Sequence, residues 1–239
     1  MANKHLDWLV VKSKPKSHIS EAYRILMSNI EFSNLDKPVN TIVVTSAVPQ
    51  KGKITNIANL ALTFAKSGKK AIIVDSDLRL PLIHKVFNRD KIPGLSNVLV
   101  NDKRIPEVIK RADDIHSNLY FIPSGPIPPN PSELLGSGRM EAVIKELRDQ
   151  ADMVIFNSPP LIGFTETVAL ANQVDGVVLF LNAGMITRDI AKQAKALLEK
   201  VKAKILGVVL NDVDTKKEGY YQYYHNYDYS KYYNHNTNE

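Results

Sequence analysis

Gly52 and Lys53 stand in a segment, VPQKGKIT at 48–55, whose residue types suit the binding of phosphate groups. An apolar run, TIVVTS, precedes this segment, and the alternating apolar stretch NIANLALTFAKSG follows it directly. This order predicts a strand, a loop and a helix. The N–H groups that open a helix lack intrahelical partners and attract anions, and the Lys53 ammonium adds a positive charge. The segment therefore predicts a loop that holds the phosphates of a nucleotide.

The loop departs from the usual phosphate-binding pattern at the position that would bind a metal. In G-x-x-x-x-G-K-[ST], the amides surround the phosphates, the lysine contacts the β and γ oxygens, and the hydroxyl binds Mg²⁺. Ile54 replaces that hydroxyl residue, and Thr55 lies one step later, about 100° further around the helix. We therefore expect the loop to bind nucleotide and to hold Mg²⁺ poorly. The predicted nucleotide-binding residues of the loop are Ala47, Gln50, Lys51, Gly52, Lys53, Ile54 and Thr55.

Carboxylates that could complete such a site close other apolar runs. Asp75 and Asp77 end the run AIIVDSD, and two residues of a strand at this spacing project from the same side, where they could orient a metal or accept a proton. The apolar part of MVIFNSPP ends at Asn157, where nucleotide hydrolases and kinases place an aspartate. Losing one carboxylate about 4 Å from a dication forfeits several kcal/mol even at an effective dielectric near 20. A transition-state loss of about 3 kcal/mol slows phosphate transfer roughly a hundredfold.

The elements that must position these residues can be read from the hydrophobic pattern. Continuous apolar runs rich in β-branched residues indicate strands covered on both faces. Helical patterns lie between them, notably at 55–68, 132–150 and 186–201. This alternation predicts an α/β fold with a doubly wound, mainly parallel sheet and helices on both faces. The predicted strands lie within 41–46, 71–77, 119–125, 153–160, 176–182 and 205–211.

Polar residues fall at the ends of all these runs. The carboxyl ends of parallel strands share one edge of the sheet, and ligands of open α/β sheets bind in the crevice at that edge. The sequence therefore predicts one site there, which brings together Thr45, Ser46, Asp75, Asp77, Ser124, Asn157, Ser158, Asn182 and Asn211.

Length and composition bound the class of protein. The chain has 239 residues, 44% of them hydrophobic, and no cysteine. A chain of this size buries one sizeable core, so we expect a single domain over residues 1–212. The lack of cysteine excludes disulfides and thiolate metal sites. No stretch approaches the roughly 20 apolar residues that cross a bilayer, so we expect a cytoplasmic protein.

Both ends of the chain differ from its centre. Residues 213–239 hold eight of the ten tyrosines without a helical or strand period, which predicts a flexible tail with exposed phenols. Residues 1–38 form a basic arm with an amphipathic helix, and either a solvated arm or contact with an anionic membrane or acidic partner fits this charge. Basic and aromatic residues are not interleaved as a nucleic-acid groove requires, so we expect no nucleic-acid partner.

Taken in order, these segments resemble the bacterial tyrosine kinases, or BY-kinases, which act with a membrane-anchored modulator in capsule and exopolysaccharide production. PPNPSELL is the most specific segment, because it separates this group from the related cell-division and plasmid-partition ATPases. Those ATPases carry a lysine where this chain has Val48. The matching segments cover nearly the whole chain together with the tyrosine cluster, and they are ISEAYRILMSNI, TSAVPQKGKIT, IIVDSDLR, FIPSGPIPPNPSELL, VIFNSPP, VDGVVLFLNAG and ILGVVLND.

The resemblance implies transfer of phosphate from ATP to protein tyrosines, with Mg²⁺ as the metal. Lys53 would then contact the phosphates, Asp75 would be the base for the attacking phenol, and Asp77 would lie near the metal. Asn157 matches the Walker B carboxylate, so that Asp77 and Asn157 form a degenerate metal site. Asn211 matches the asparagine that meets the adenine ring.

The resemblance also implies partners. A membrane-anchored modulator would recruit the chain to the inner face of the membrane, and a tyrosine phosphatase would reverse its phosphorylation. A homo-oligomer would form through the helix pattern E-x-x-R-x-x-R, which appears as Glu21, Arg24 and then Met27. Because the last arginine is missing, a ring is less well supported. The tail would be phosphorylated in trans at Tyr220, Tyr221, Tyr223, Tyr224, Tyr227, Tyr229, Tyr232 and Tyr233.

Three hypotheses therefore stay open at this point. The first is a BY-kinase subunit in which Ile54 and Asn157 weaken or abolish catalysis, as in a pseudokinase. The second is an active tyrosine kinase that depends on its modulator. The third is a partition-type ATPase, against which Val48 and the tyrosine-rich tail both speak.

Overall fold

The computed structural model describes residues 8–34 and 37–213. The predicted flexible tail lies almost wholly outside the described residues, as do all eight predicted phosphorylation sites. Within the described residues, the chain has no helix with both the length and the apolar character needed to cross a bilayer.

The secondary structure alternates between strands and helices along the described chain. The strands are β1 (Thr41–Ser46), β2 (Ala71–Asp75), β3 (Lys110–Arg111), β4 (Leu119–Ile122), β5 (Met153–Asn157), β6 (Gly176–Asn182) and β7 (Ile205–Asn211). The helices are α1 (Val10–Ser13), α2 (His18–Glu31), α3 (Lys53–Lys66), α4 (Ile83–Val86), α5 (Leu95–Leu99), α6 (Ile105–Val108), α7 (Pro131–Leu135), α8 (Gly138–Gln150), α9 (Glu166–Ala171) and α10 (Arg188–Lys200).

The strands form one sheet in the order β3-β4-β2-β5-β1-β6-β7. Every pairing is parallel except that of β3 with β4. This confirms the prediction of a mainly parallel, doubly wound sheet, and all predicted apolar runs contain a strand. The sequence did not predict β3, because its two residues, Lys110 and Arg111, form no apolar run and pair only at the sheet edge.

The core has two halves, one on each face of the sheet. Helix α3 covers one face, where Ile57 and Phe64 are fully buried against the strands. Helices α8 and α10 cover the other face through Leu147 and Leu198. Helices on both faces explain why the central strands are continuously apolar, and they confirm that part of the prediction.

Helix ends follow the local sequence. Gly68 follows α3 with φ +90°, a left-handed conformation that ends helices and favours glycine. The predicted helical stretch at 132–150 is divided into α7 and α8, because Gly136 ends the first helix and Ser137 begins the second. The Ser137 hydroxyl accepts a hydrogen bond from the Met140 amide at 3.3 Å.

The N-terminal segment packs on α3 through one buried asparagine. Asn59 accepts a hydrogen bond from the Val11 amide at 3.1 Å and donates one to the Trp8 carbonyl at the same distance. Helix α2 then follows, and the Ser17 hydroxyl caps its first turn. These contacts tie the predicted N-terminal arm, from residue 8 onward, to the helix that begins at the phosphate loop.

Candidate functional site

The segment between β1 and α3 forms the loop that the sequence predicts, and residues 47–53 are called the phosphate loop below. Gly52 caps α3 with φ +88°, a conformation that favours glycine because it has no Cβ. Lys53 is the first residue of the helix. The start of a fourteen-residue helix, with its unpaired N–H groups, therefore faces the carboxyl edge of the sheet.

Side chains at the ends of neighbouring strands hold this loop in place. Gln50 donates to the Phe180 carbonyl at 2.8 Å and accepts from the Asn182 amide at 3.1 Å, so its side chain extends the pairing of β6. The side-chain amide of Asn182 donates to the Lys51 carbonyl at 3.3 Å. Asn211 in turn donates to Asn182 Oδ1 at 3.0 Å. The loop is thus held from the β6 and β7 side of the sheet.

Asn211 also lies against the glycine of the loop. A Cβ on Gly52 would stand 3.1 Å from Asn211 Nδ2, so a side chain there would press on Asn211 in addition to straining the positive φ. The asparagine that the resemblance assigns to adenine is therefore at the loop, and its contact with adenine stays a prediction.

Lys53 extends across the cavity toward the end of β5. Its ammonium group donates a hydrogen bond to the Ser158 carbonyl. Burial lowers the pKa of Lys53 to about 8, although the negative charges of Asp77 and Asp75 partly oppose this shift. A bound phosphate would favour the charged ammonium by adding further negative charge near it.

Asp75 and Asn157 pair across neighbouring strands. Asn157 Nδ2 donates to Asp75 Oδ1 at 2.8 Å, while Asp75 Oδ2 accepts from the amides of Leu82 and Ile83 at 3.0 Å each. Asp75 is fully buried, and this burial raises its pKa to about 6 despite those hydrogen bonds. Both carboxylate oxygens are therefore committed to contacts within the protein. Asp75 is fully buried and does not line the cavity, so its predicted role as a base requires a rearrangement that brings it into contact with the phenol.

Asp77 occupies a different position from Asp75, although the spacing predicts that both project from the same side of one strand. Strand β2 ends at Asp75, so Asp77 belongs to the loop beyond it and lines the cavity directly. Asp77 Oδ1 accepts from the Leu80 amide at 3.0 Å, and burial raises its pKa. Of the two aspartates, Asp77 is thus the one exposed to a ligand in the cavity.

An ion pair between the half-exposed Arg79 and the buried Glu166 supports the Asp77 loop, and sequence reasoning missed it. Arg79 Nε donates to Glu166 Oε1, and the Arg79 guanidinium lies 5.6 Å from the centre of the Phe164 ring. Glu166 is fully buried at the start of α9. Arg79 lies two residues after Asp77 in DSDLR, so its place in that motif could have marked it as a site residue. Glu166 belongs to no such motif, and nothing in the sequence marked it.

The phosphate loop and the segments that follow β2 and β5 line a cavity of about 620 Å³ at the carboxyl edge of the sheet. The phosphate loop from Pro49 onward lines one side, while Asp77 and Asn157 lie on the other. Leu80, Leu82 and Phe164 contribute apolar surface to the same cavity.

Not all of the predicted nucleotide-binding residues of the loop line the cavity. Ile54 lines the cavity, and it also packs against the core under α3. Thr55 is not among the residues that line this cavity, in agreement with its expected direction. Ala47, at the start of the loop, is fully buried and does not line the cavity.

The donor atoms of the cavity fit a nucleotide better than a magnesium ion. The loop amides and Lys53 supply the positive charge that phosphates need. Mg²⁺ prefers carboxylate and other oxygen ligands, and the cavity wall offers the Asp77 carboxylate beside the neutral Asn157 amide. Asn157 Oδ1 and Ser46 Oγ are buried and have no hydrogen-bond partner among the described residues. No group of three acidic or histidine side chains that could hold a metal occurs in the described ranges.

The predicted oligomer residues lie on the surface, away from this cavity. Arg24 pairs with Glu21 at 2.7 Å on α2, and both side chains are partly exposed. Their role in self-association stays a prediction.

Comparison with known proteins agrees with the geometry. Residues 39–208 match the family model described as an AAA domain. The chain is 38% identical over 216 residues to the tyrosine-protein kinase YwqD of Bacillus subtilis (strain 168), covering 90% of each chain. It is 37% identical over 220 residues to the putative tyrosine-protein kinase CapB of Staphylococcus aureus, covering 92% of this chain and 96% of that one.

The solved structures point the same way. The crystal structure of the chimerical protein CapA2B2 is similar to this chain with a TM-score of 0.82 and 39% identity, covering 87% of this chain and 90% of that chain. The kinase domain of Escherichia coli tyrosine kinase ETK is similar with a TM-score of 0.82 and 28% identity, covering 86% of this chain and 80% of that chain. The chain therefore belongs to the bacterial tyrosine-protein kinase, or BY-kinase, family.

Proposed function

We propose that this chain is a BY-kinase subunit that binds ATP at the phosphate loop and transfers its phosphate to tyrosine slowly or not at all. One observation carries this proposal: the phosphate side of the cavity is complete, whereas Ile54 and Asn157 occupy the positions that would bind Mg²⁺. The same cavity therefore keeps the groups that would recognise phosphate and lacks the usual ligands for Mg²⁺.

Each residue has a definite part in this proposal. Lys53 leaves the Ser158 carbonyl and neutralises the phosphates together with the loop amides. Asn211, which contacts the loop through Gly52 and Asn182, borders the adenine. Asp77 is the carboxylate nearest to an incoming phenol or a metal ion. When bound, Mg²⁺ would neutralise charge that develops on the transferred phosphoryl group.

The partners follow from family membership. A membrane-anchored modulator recruits the chain to the inner face of the membrane within a capsular or exopolysaccharide system. The tyrosines between Tyr220 and Tyr233 accept phosphate from a neighbouring subunit, and a tyrosine phosphatase removes it. If the chain has little activity of its own, it serves as a regulatory or phosphate-accepting subunit.

Two measurements on the full chain test this function together. Isothermal titration with ATP, with and without Mg²⁺, measures binding, and incorporation of ³²P into the chain measures transfer. We expect ATP to bind in both conditions with an affinity that Mg²⁺ changes little, and labelling to be weak. Lys53→Met is the control and should abolish binding. Strong Mg²⁺-dependent labelling that disappears in Lys53→Met would show that catalysis is intact.

A second candidate function, an active kinase, is favoured by one feature of the cavity. Asp77 and the unpaired Asn157 Oδ1 still face the same space, so a metal that is also bound by ATP could use both. A modulator segment added to the labelling assay distinguishes the two. Labelling that rises steeply with the modulator supports an active kinase, whereas labelling that stays weak supports the impaired subunit.

A further inference from the structure

Tyr23 of α2 makes a buried hydrogen bond to the helix that carries the phosphate loop. Its hydroxyl donates to Asn56 Oδ1 at 2.5 Å, and 33 positions of sequence separate the two residues. Tyr23 is 7% exposed, and burial raises the pKa of its phenol to about 12. The hydroxyl therefore remains a donor at neutral pH, and the Asn56 amide is held in one orientation.

Asn56 passes this constraint to the glycine of the loop. Its Nδ2 donates to the Gly52 carbonyl at 2.9 Å, and its backbone amide donates to the same oxygen, also at 2.9 Å. The Gly52 carbonyl thus points into α3 and is fixed by two donors of one residue. One of these is the ordinary helical hydrogen bond, and the other depends on how the Asn56 side chain is oriented.

The orientation of this carbonyl determines where the next amide points. In a planar trans peptide the C=O and N–H groups point in opposite directions. Since the Gly52 carbonyl points into α3, the Lys53 N–H points out of the helix toward the loop. It is one of the first N–H groups of the helix, which have no intrahelical partner and are free to bind a phosphate.

We infer that Tyr23 is a positioning residue for nucleotide binding, which acts through Asn56 to fix the Gly52–Lys53 peptide. This inference rests on the proposed nucleotide site and adds a dependence on helix α2. It also gives α2, which carries the Glu21–Arg24 pair, a direct hydrogen-bonded path to the phosphate loop.

A purely structural role for Tyr23 makes different predictions. The ring packs in the core with α3, so its loss would lower stability whatever the hydroxyl does. Tyr23→Phe keeps the ring and removes only the hydrogen bond. Tyr120→Phe is the matched control, because Tyr120 lies on β4 and contacts Lys70 and Arg111 through its ring.

The test measures ADP binding by calorimetry for Tyr23→Phe, Asn56→Ala and the double variant, each with urea unfolding of the full chain. We expect each single variant to weaken ADP binding about fivefold to tenfold, the effect of losing one hydrogen bond in a buried network. The double variant should bind no more weakly than Asn56→Ala, because both changes break the same relay. Tyr120→Phe should bind ADP like the wild type.

The opposing results are equally definite. Tyr23→Phe with unchanged ADP affinity, or independent effects that multiply in the double variant, would overturn the inference. If the wild type binds no ADP, the proposed function fails, and hydrogen exchange of the Asn56 amide, which donates to the Gly52 carbonyl, then decides on the relay. Faster exchange at Asn56 in Tyr23→Phe supports it, and unchanged exchange overturns it.

Discussion

The two sides of the cavity are built in opposite ways. On the phosphate side, Gln50, Asn182 and Asn211 form a connected set of hydrogen bonds that fixes the loop, and Lys53 supplies charge. On the carboxylate side, Asp75 is bound to the protein itself, and Asn157 Oδ1 has no partner among the described residues. Under the proposed function, this difference means that one cavity keeps the means of binding phosphate while its metal ligands change. Phosphate recognition depends on backbone geometry, whereas metal binding depends on a few side-chain identities.

The largest expected effect tests the phosphate side alone. Lys53→Met should weaken ATP binding at least a hundredfold, because it removes the partly buried cation that would face the phosphates and leaves Asp77 uncompensated. Calorimetry measures the change. Lys145→Met is the control, since it changes an exposed lysine of α8 that does not line the cavity, and its effect should be small. Equal effects of the two substitutions would contradict a specific role for Lys53.

The next prediction restores the carboxylate side. Ile54→Ser with Asn157→Asp should raise autophosphorylation by roughly a hundredfold, the effect of recovering about 3 kcal/mol in the transition state. Without metal, the new aspartate faces Asp75 in place of the donor now 2.8 Å away, so the two carboxylates repel each other. The double variant should therefore melt lower than the wild type in EDTA and gain more from Mg²⁺ with ATP. Thermal melts and ³²P labelling check both effects.

Thr55→Ser with Asn157→Asp is the matched control for that experiment. It places the same hydroxyl and carboxylate in the chain but leaves Ile54 in the cavity. If both double variants were equally active, the identity of residue 54 would not explain the weak metal site.

The third prediction concerns the pH dependence of stability. The pKa of Asp75 is raised from 3.8 to about 6 in the folded chain. The folded state therefore binds the carboxyl proton of Asp75 more tightly than the unfolded state does. The resulting stability is fully present below about pH 4 and is lost as pH rises through about 6, a change of about 3 kcal/mol.

Asp75→Asn should remove this dependence and raise the free energy of unfolding at pH 7.5. The Asn157 amide can rotate to present its unpaired Oδ1 to the new amide group. Urea unfolding at several pH values between 4 and 7.5 measures the slope, and the exposed Asp149→Asn is the control. A slope that Asp75→Asn leaves unchanged would place the titrating group elsewhere.

The smallest expected effect separates the position of the loop from its charge. Gln50→Ala removes two hydrogen bonds to β6 without changing charge, so we expect ATP binding to weaken about threefold to tenfold. Calorimetry with ATP measures it, and labelling in the Ile54→Ser, Asn157→Asp background should fall by a similar factor. Unchanged affinity would indicate that the other contacts of the loop are sufficient to hold it.

Much of the fold could be predicted because its signals are local. The apolar runs specify buried strands by composition, and Gly68 and Ser137 mark a helix end and a helix start by their own conformational preferences. Strand β3 could not be predicted in this way, since its pairing depends on β4 rather than on its own residues. The order of strands in the sheet likewise depends on packing between distant segments.

The candidate site divides along the same line. The sequence by itself determined the phosphate loop, the replacements Ile54 and Asn157, and the family, because these are matters of residue identity and spacing. Only the tertiary structure decided that Asp77 lines the cavity while Asp75 is bound to Asn157, that Glu166 supports Arg79, and that Tyr23 reaches Gly52 through Asn56. Such contacts join residues far apart in sequence, and hydrogen-bond partners and burial arise only when the folded chain brings them within about 3 Å.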